Sequence, residues 1–179
     1  MNLPNLLATF RILLAPLMFW LLVNRDSDIF SSIHTSWLDY FAALTFVIAS
    51  VTDFFDGYIA RSWNQITKLG SILDPLADKL LMLAGFLGLM FLDRANPWAV
   101  FLILSREFFI TGIRVVAAGE QKSVSSSFSG KAKTVLQMFA IGFLTMNWPY
   151  GSILLWLAVI LTIYSGYEYI KGYIKGYIE

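Results

Sequence analysis

Six apolar runs divide the chain, each close to the roughly 20 residues that a membrane-crossing helix needs. They extend from Leu6 to Val23, Trp37 to Ala60, Ile72 to Leu92, Pro97 to Ala118, Phe128 to Trp148 and Gly151 to Ile174. The runs are continuous rather than alternating, which excludes barrel strands, whose apolar positions recur every second residue. In lipid a helix satisfies its own backbone hydrogen bonds. The pattern therefore predicts an all-α integral membrane protein with six transmembrane helices, organised as a single transmembrane domain over 1–179.

Composition agrees. The 179 residues are 58% apolar and 14% charged, against about 25% charged in a soluble domain. A net charge of +1 points neither to nucleic acid nor to an acidic partner. The lack of cysteine excludes disulfides and thiolate metal sites. The first run reads as a retained span. No basic region precedes it, Arg11 lies inside it, and no small-x-small site follows Leu21-Leu22-Val23.

Charge in the connections gives an orientation. Arg25 and Arg94 are the basic residues on one side, accompanied by Asp26, Asp28 and Asp93. Arg61, Lys68, Lys79, Lys122, Lys131, Lys133, Lys171 and Lys175 lie on the other. The positive-inside rule predicts that this second side, with both termini, faces the cytoplasm. His34 reads as a solvated loop residue, since metal-binding histidines come with nearby co-ligands. The serine-rich stretch from Gly119 to Gly130 reads as a flexible connection and partial lid. The Tyr-Ile-Lys-Gly repeat from Tyr169 suits an interfacial helix end.

Against this background one stretch is anomalous. Asp53, Asp56, Asp74 and Asp78 are four of the eight aspartates, and apolar sequence flanks them on both sides. A carboxylate at membrane depth costs about 2.5–3.5 kcal/mol on insertion scales. Asp53, Asp56, Gly57, Ala60 and Arg61 fall on one helical face, and Gly70, Asp74 and Asp78 repeat the arrangement at intervals of four. Pro75 requires a first helical turn or a kink. All-oxygen ligands select hard cations such as Mg²⁺ or Mn²⁺. A pair of such ions about 4 Å apart can bind a diphosphate, activate a hydroxyl and stabilise a leaving phosphate. Gly57, Ala60 and Gly70 leave room for a ligand beside the backbone, and Arg61 offers forked donors to phosphate.

The stretch resembles the signature of the CDP-alcohol phosphotransferases, with every fixed position matched: Asp53, Asp56, Gly57, Ala60, Arg61, then Gly70, Asp74 and Asp78 after eight residues. The resemblance implies six transmembrane helices, a homodimer and an active site at the cytoplasmic face. It implies that Asp53, Asp56, Asp74 and Asp78 hold two Mg²⁺ or Mn²⁺ ions, and that Asp78 is also the general base. It assigns Gly57, Ala60, Arg61 and Gly70, with Asn5, to the CDP moiety.

Further segments resemble the bacterial members whose donor is CDP-diacylglycerol and whose acceptor is glycerol 3-phosphate. These are Asn2-Leu3-Pro4-Asn5 with Arg11, Leu73 to Lys79, Ser105-Arg106-Glu107-Phe108 with Gly112 and Arg114, and Gly130 to Thr134. One departure is Ala8, where those enzymes carry threonine; Thr9 follows it. Arg106 and Arg114 lie eight apart in an apolar run, near one helical face, and Lys131 and Lys133 begin the next run at the same side. Together they suit an acceptor's phosphate. Serine, inositol phosphate or phosphatidylglycerol as acceptor is the nearest alternative, and a divalent-cation transporter a distant one.

Overall fold

The computed structural model describes the backbone of residues 3–62, 68–119 and 128–178; side chains at 3–4, 54–62, 68–72, 74, 118–119 and 175–178 lie outside the description. Among the described residues the secondary structure is entirely helical. The helices are α1 (Leu3–Val23), α2 (Thr35–Ser62), α3 (Lys68–Phe91), α4 (Pro97–Gly119), α5 (Phe128–Thr145) and α6 (Gly151–Ile178), with one short 3-10 turn at Asp28–Phe30. They follow the six apolar runs in order. Three contain a stretch long and apolar enough to cross a membrane: Asn5–Val23, Thr35–Asp53 and Gly151–Ile174. The others carry ionisable residues within the helix: Asp74, Asp78 and Lys79 in α3, Arg106, Glu107 and Arg114 in α4, Lys131 and Lys133 in α5. Large apolar side chains are exposed on every described span, among them Leu13, Trp20, Val47, Phe101, Phe109 and Ile160. That is the surface a lipid solvent favours.

The chain divides into two compact units. One comprises Met1–Arg94 with Leu144–Trp148, the other Ala95–Phe143 with Pro149–Glu179.

In the first unit α1 packs against α2 and α3. Its buried positions are Asn5, Ala8, Arg11, Leu14, Ala15, Met18 and Leu22, a stripe with steps of three and four. Five members are apolar; Asn5 and Arg11 are not. Ala77, Leu81, Ala84 and Leu89 give α3 a matching face. The approach is close at Gly88, where an added Cβ would lie 2.6 Å from Leu22 Cδ1. Gly88 therefore serves packing inside the chain. Pro75 lies within α3, beyond its first turn.

The buried stripe of α2 runs Asp39, Ala42, Phe46, Ala49 and then to half-buried Asp53. An aspartate thus stands at each end, about 21 Å apart along the helix at 1.5 Å per residue. At the first end Arg94 Nη2 donates to Asp39 Oδ2 at 2.8 Å, and Arg25 Nη1 is 3.5 Å from Asp39 Oδ1. Arg94 Nη1 also donates to the Thr145 carbonyl at 2.6 Å, satisfying an end group of α5. Breaking such a buried pair costs about 3–5 kcal/mol, because a charge is left without its partner. Asp39→Ala should therefore lower the melting temperature in detergent markedly. Asp26→Ala, which removes only an exposed carboxylate 3.8 Å from Arg25, should change stability by less than about 1 kcal/mol.

Candidate functional site

The motif stretch spans the end of α2 and the start of α3. Asp53, Asp56, Gly57, Ala60 and Arg61 belong to α2, and Gly70, Asp74 and Asp78 to α3, so both halves are helical. The side chains of Asp56, Arg61 and Asp74, and the surroundings of Gly57, Ala60 and Gly70, lie outside the described residues. Asp53 and Asp78 are described, and one guanidinium joins them. Arg11 Nη1 donates to Asp53 Oδ1 and lies 3.4 Å from Asp78 Oδ1. The burial is asymmetric. The Arg11 side chain is 0% exposed, whereas Asp53 is 35% and Asp78 53% exposed. Arg11 therefore meets the carboxylates from the protein interior, and both aspartate side chains keep part of their surface exposed.

This arrangement fits a hard cation. Two carboxylates from different helices converge on one positive charge with partly exposed side chains, and carboxylate oxygen is the donor type that Mg²⁺ and Mn²⁺ select. Among the described residues no group of three or more ligating side chains gathers. Asn5 is buried on the Arg11 stripe, and its carbonyl accepts the Thr9 hydroxyl at 2.8 Å. Ala8 is fully buried in the helix interface. The threonine next to the departure thus bonds its own helix.

The second unit carries a cationic cluster. Arg106 Nη1 lies 3.4 Å from Glu107 Oε1, and Lys133 Nζ donates to the same oxygen. Arg106 Nη2 donates to Ser165 Oγ at 2.9 Å. Ser165 in turn donates to the Thr162 carbonyl at 3.1 Å, and Gln137 Nε2 donates to Thr162 Oγ1 at 2.9 Å. A polar stripe of α6 thereby supports the guanidinium. Gly166 makes room for it: an added Cβ would lie 3.2 Å from Arg106 Cγ and Nε. Arg106 Nε is buried with no hydrogen-bond partner. The Arg114 guanidinium stands over the Tyr169 ring at 5.2 Å, a cation–π contact. Ser129, at the start of α5, donates to Glu168.

Of the four cationic residues expected together, Arg106 and Lys133 meet at Glu107, and Arg114 lies against Tyr169 on α6. Lys131 is exposed; residues two apart on a helix do not share a face. Sequence reasoning did not assign Arg11, Ser165, Gly166 or Tyr169 to a site. Arg11 carried a readable signal, being the one ionisable residue in the first apolar run. Ser165, Gly166 and Tyr169 carried none, because small and aromatic residues are ordinary in a span.

The chain belongs to the CDP-alcohol phosphatidyltransferase family, whose model matches residues 1–164. Among its relatives, a CDP-diacylglycerol–glycerol-3-phosphate 3-phosphatidyltransferase of Bacillus subtilis (strain 168) is 39% identical over 94% of this chain and 93% of that protein. The protein of the same name from Rickettsia typhi (strain ATCC VR-144 / Wilmington) is 40% identical over 96% of each chain. That from Shigella flexneri serotype 5b (strain 8401) is 36% identical over 96% of this chain and 94% of its own.

The shared carboxylate gives a test of the cluster. Glu107→Gln leaves the nearly buried Lys133 ammonium without a counter-ion and should cost about 3 kcal/mol. Adding Lys133→Met should recover most of that loss, measured as a double-mutant cycle of thermal unfolding in detergent.

Proposed function

We propose that the chain transfers the phosphatidyl group of CDP-diacylglycerol to sn-glycerol 3-phosphate, giving phosphatidylglycerophosphate and CMP. One observation carries this reading: relatives bearing that activity in their names align with 94% or more of the chain. The complete eight-position aspartate signature supports the same donor chemistry.

Asp53, Asp56, Asp74 and Asp78 would hold Mg²⁺ or Mn²⁺, two ions, which when bound supply positive charge to the donor's diphosphate and to the departing CMP. The convergence of Asp53 and Asp78 on Arg11 supports this grouping. Asn5, Gly57, Ala60, Arg61 and Gly70 bind the CDP moiety, Arg61 as a forked donor to phosphate oxygen. A carboxylate oxygen of Asp78 takes the proton from the acceptor's terminal hydroxyl. The hydroxyl oxygen of the acceptor forms a bond to the β-phosphorus, and the bond from this phosphorus to the CMP oxygen breaks. Positioning and electrostatics supply most of the acceleration in such transfers.

Arg106, with Arg114 and Lys133, takes the acceptor's phosphate, and Lys131, on another face of α5, adds only to the positive charge of that helix. The buried, unpartnered Arg106 Nε and the seat provided by Ser165 and Gly166 support Arg106 as the principal member. The whole chain, 1–179, acts as one transmembrane catalytic domain and as a homodimer. It lies in the cytoplasmic membrane with both termini and the aspartates on the cytoplasmic side, as the distribution of Lys and Arg favours.

The decisive assay supplies purified protein with labelled CDP-diacylglycerol and a panel of acceptors. Glycerol 3-phosphate should release CMP with Mg²⁺ or Mn²⁺ and not with EDTA. Turnover only with serine, inositol phosphate or phosphatidylglycerol would reassign the acceptor, and metal flux without CMP release would favour transport. Asp78→Asn should abolish CMP release while the melting temperature stays within a few degrees of the parent. Arg106→Lys should raise KM for glycerol 3-phosphate about tenfold, since an ammonium cannot make the paired contact.

A further inference from the structure

Arg11 is the charge that the proposed reaction does not use. It occupies a central position on the buried stripe of α1, between Ala8 and Leu14, where helix packing calls for an apolar residue. No part of its side chain is exposed, so it cannot withdraw to water. Its guanidinium reaches two helices at once, Asp53 on α2 and Asp78 on α3. Both aspartate side chains are partly exposed, whereas Arg11 is not.

We propose that Arg11 is a positioning residue and the fixed internal counter-ion of the aspartate site: it holds the Asp53 and Asp78 carboxylates together when no cation is bound, and it lowers their affinity for a divalent cation. The first half follows from charge pairing alone. Carboxylates brought together at a membrane face repel one another, and Arg11 offsets that repulsion from behind. The second half rests on the reading of Asp53 and Asp78 as metal ligands. A positive charge locked beside the ligands opposes the arrival of any cation, because burial prevents the guanidinium from moving out of the way. Affinity is thereby held low enough for the ion to exchange, and the loaded site keeps surplus positive charge for an anionic diphosphate. An arginine whose role was only to orient the ligands would act in the opposite sense, since losing such a partner weakens metal binding about 10–100-fold.

The test uses full-length protein in detergent micelles, with Mn²⁺ as the ion and two readouts that need no turnover. In EDTA, Arg11→Met should unfold several degrees below the parent, and adding Asp53→Asn with Asp78→Asn should restore much of the difference. Free Mn²⁺ followed by electron paramagnetic resonance should show Arg11→Met binding about tenfold more tightly than the parent, as expected from removing a like charge. Arg11→Lys, which keeps the charge, should bind within about threefold of the parent on the same Coulombic argument. If Arg11→Met does not fold in EDTA, recovery in the triple variant supports the pairing, and failure there too assigns Arg11 to packing and overturns it. Parental melting behaviour in Arg11→Met overturns the first half, and weaker Mn²⁺ binding overturns the second. A parent that takes up no Mn²⁺ sinks the metal reading of the aspartates and the affinity claim with it. A parent that binds Mn²⁺ with the affinity of Arg11→Met leaves the metal reading standing and overturns the affinity claim alone.

Discussion

A guanidinium wholly buried in the middle of an apolar helix must be matched by anionic groups from its neighbours, because neither water nor lipid can stabilise it. Here that requirement ties α1 to α2 and α3 through Asp53 and Asp78. The apolar stripe of α1 brings the helices together without selecting their depth. One charge fixed on that stripe does select it, since sliding either neighbour by a turn, about 5.4 Å, would part the pair. Packing and polar chemistry therefore act on the same interface. Gly88 against Leu22 sets how closely α3 approaches, and Arg11 sets which residues meet.

The second unit solves a similar problem by sharing. Arg106 and Lys133 use one carboxylate, Glu107, and Nη2 of the arginine turns to a hydroxyl, Ser165, on α6. Ser165 and Gln137 both end on Thr162, so the support continues along the stripe. A cluster with more cationic than anionic groups and one unpartnered buried nitrogen is incompletely neutralised from within. That surplus of cationic groups over carboxylates supports anion binding.

The helices were legible from the sequence because a bilayer leaves few options. Six runs became six helices, in order, with ends moved by a few residues as at Thr145, where α5 stops short of Trp148. The aspartate motif was legible from its spacing and its cost. The partners were not. Arg11 stood out as a charge inside an apolar run, yet nothing local said that it would find Asp53, 42 residues away, and Asp78, 67 away. Ser165 and Gly166 were unreadable for a different reason: a hydroxyl such as the one that accepts from Arg106 is ordinary in a span, and the space that Gly166 leaves for Arg106 gives no periodic signal. Lys131 and Lys133 looked equivalent, and helical phase separated them into an exposed and a buried lysine.

The two ends of α2 carry the same pairing in different settings. At one end Asp39 is 8% exposed, held between Arg94 and Arg25, and Arg94 also closes the carbonyl end of α5. At the other end Asp53 and Asp78 share Arg11, and their side chains are 35% and 53% exposed. The residue types are identical, so type alone cannot assign the role. The difference lies in the direction from which the arginine comes. A guanidinium arriving from the loops covers its carboxylate and makes a clamp. One arriving from inside the helix interface leaves the carboxylate side chains partly exposed, at 35% and 53%.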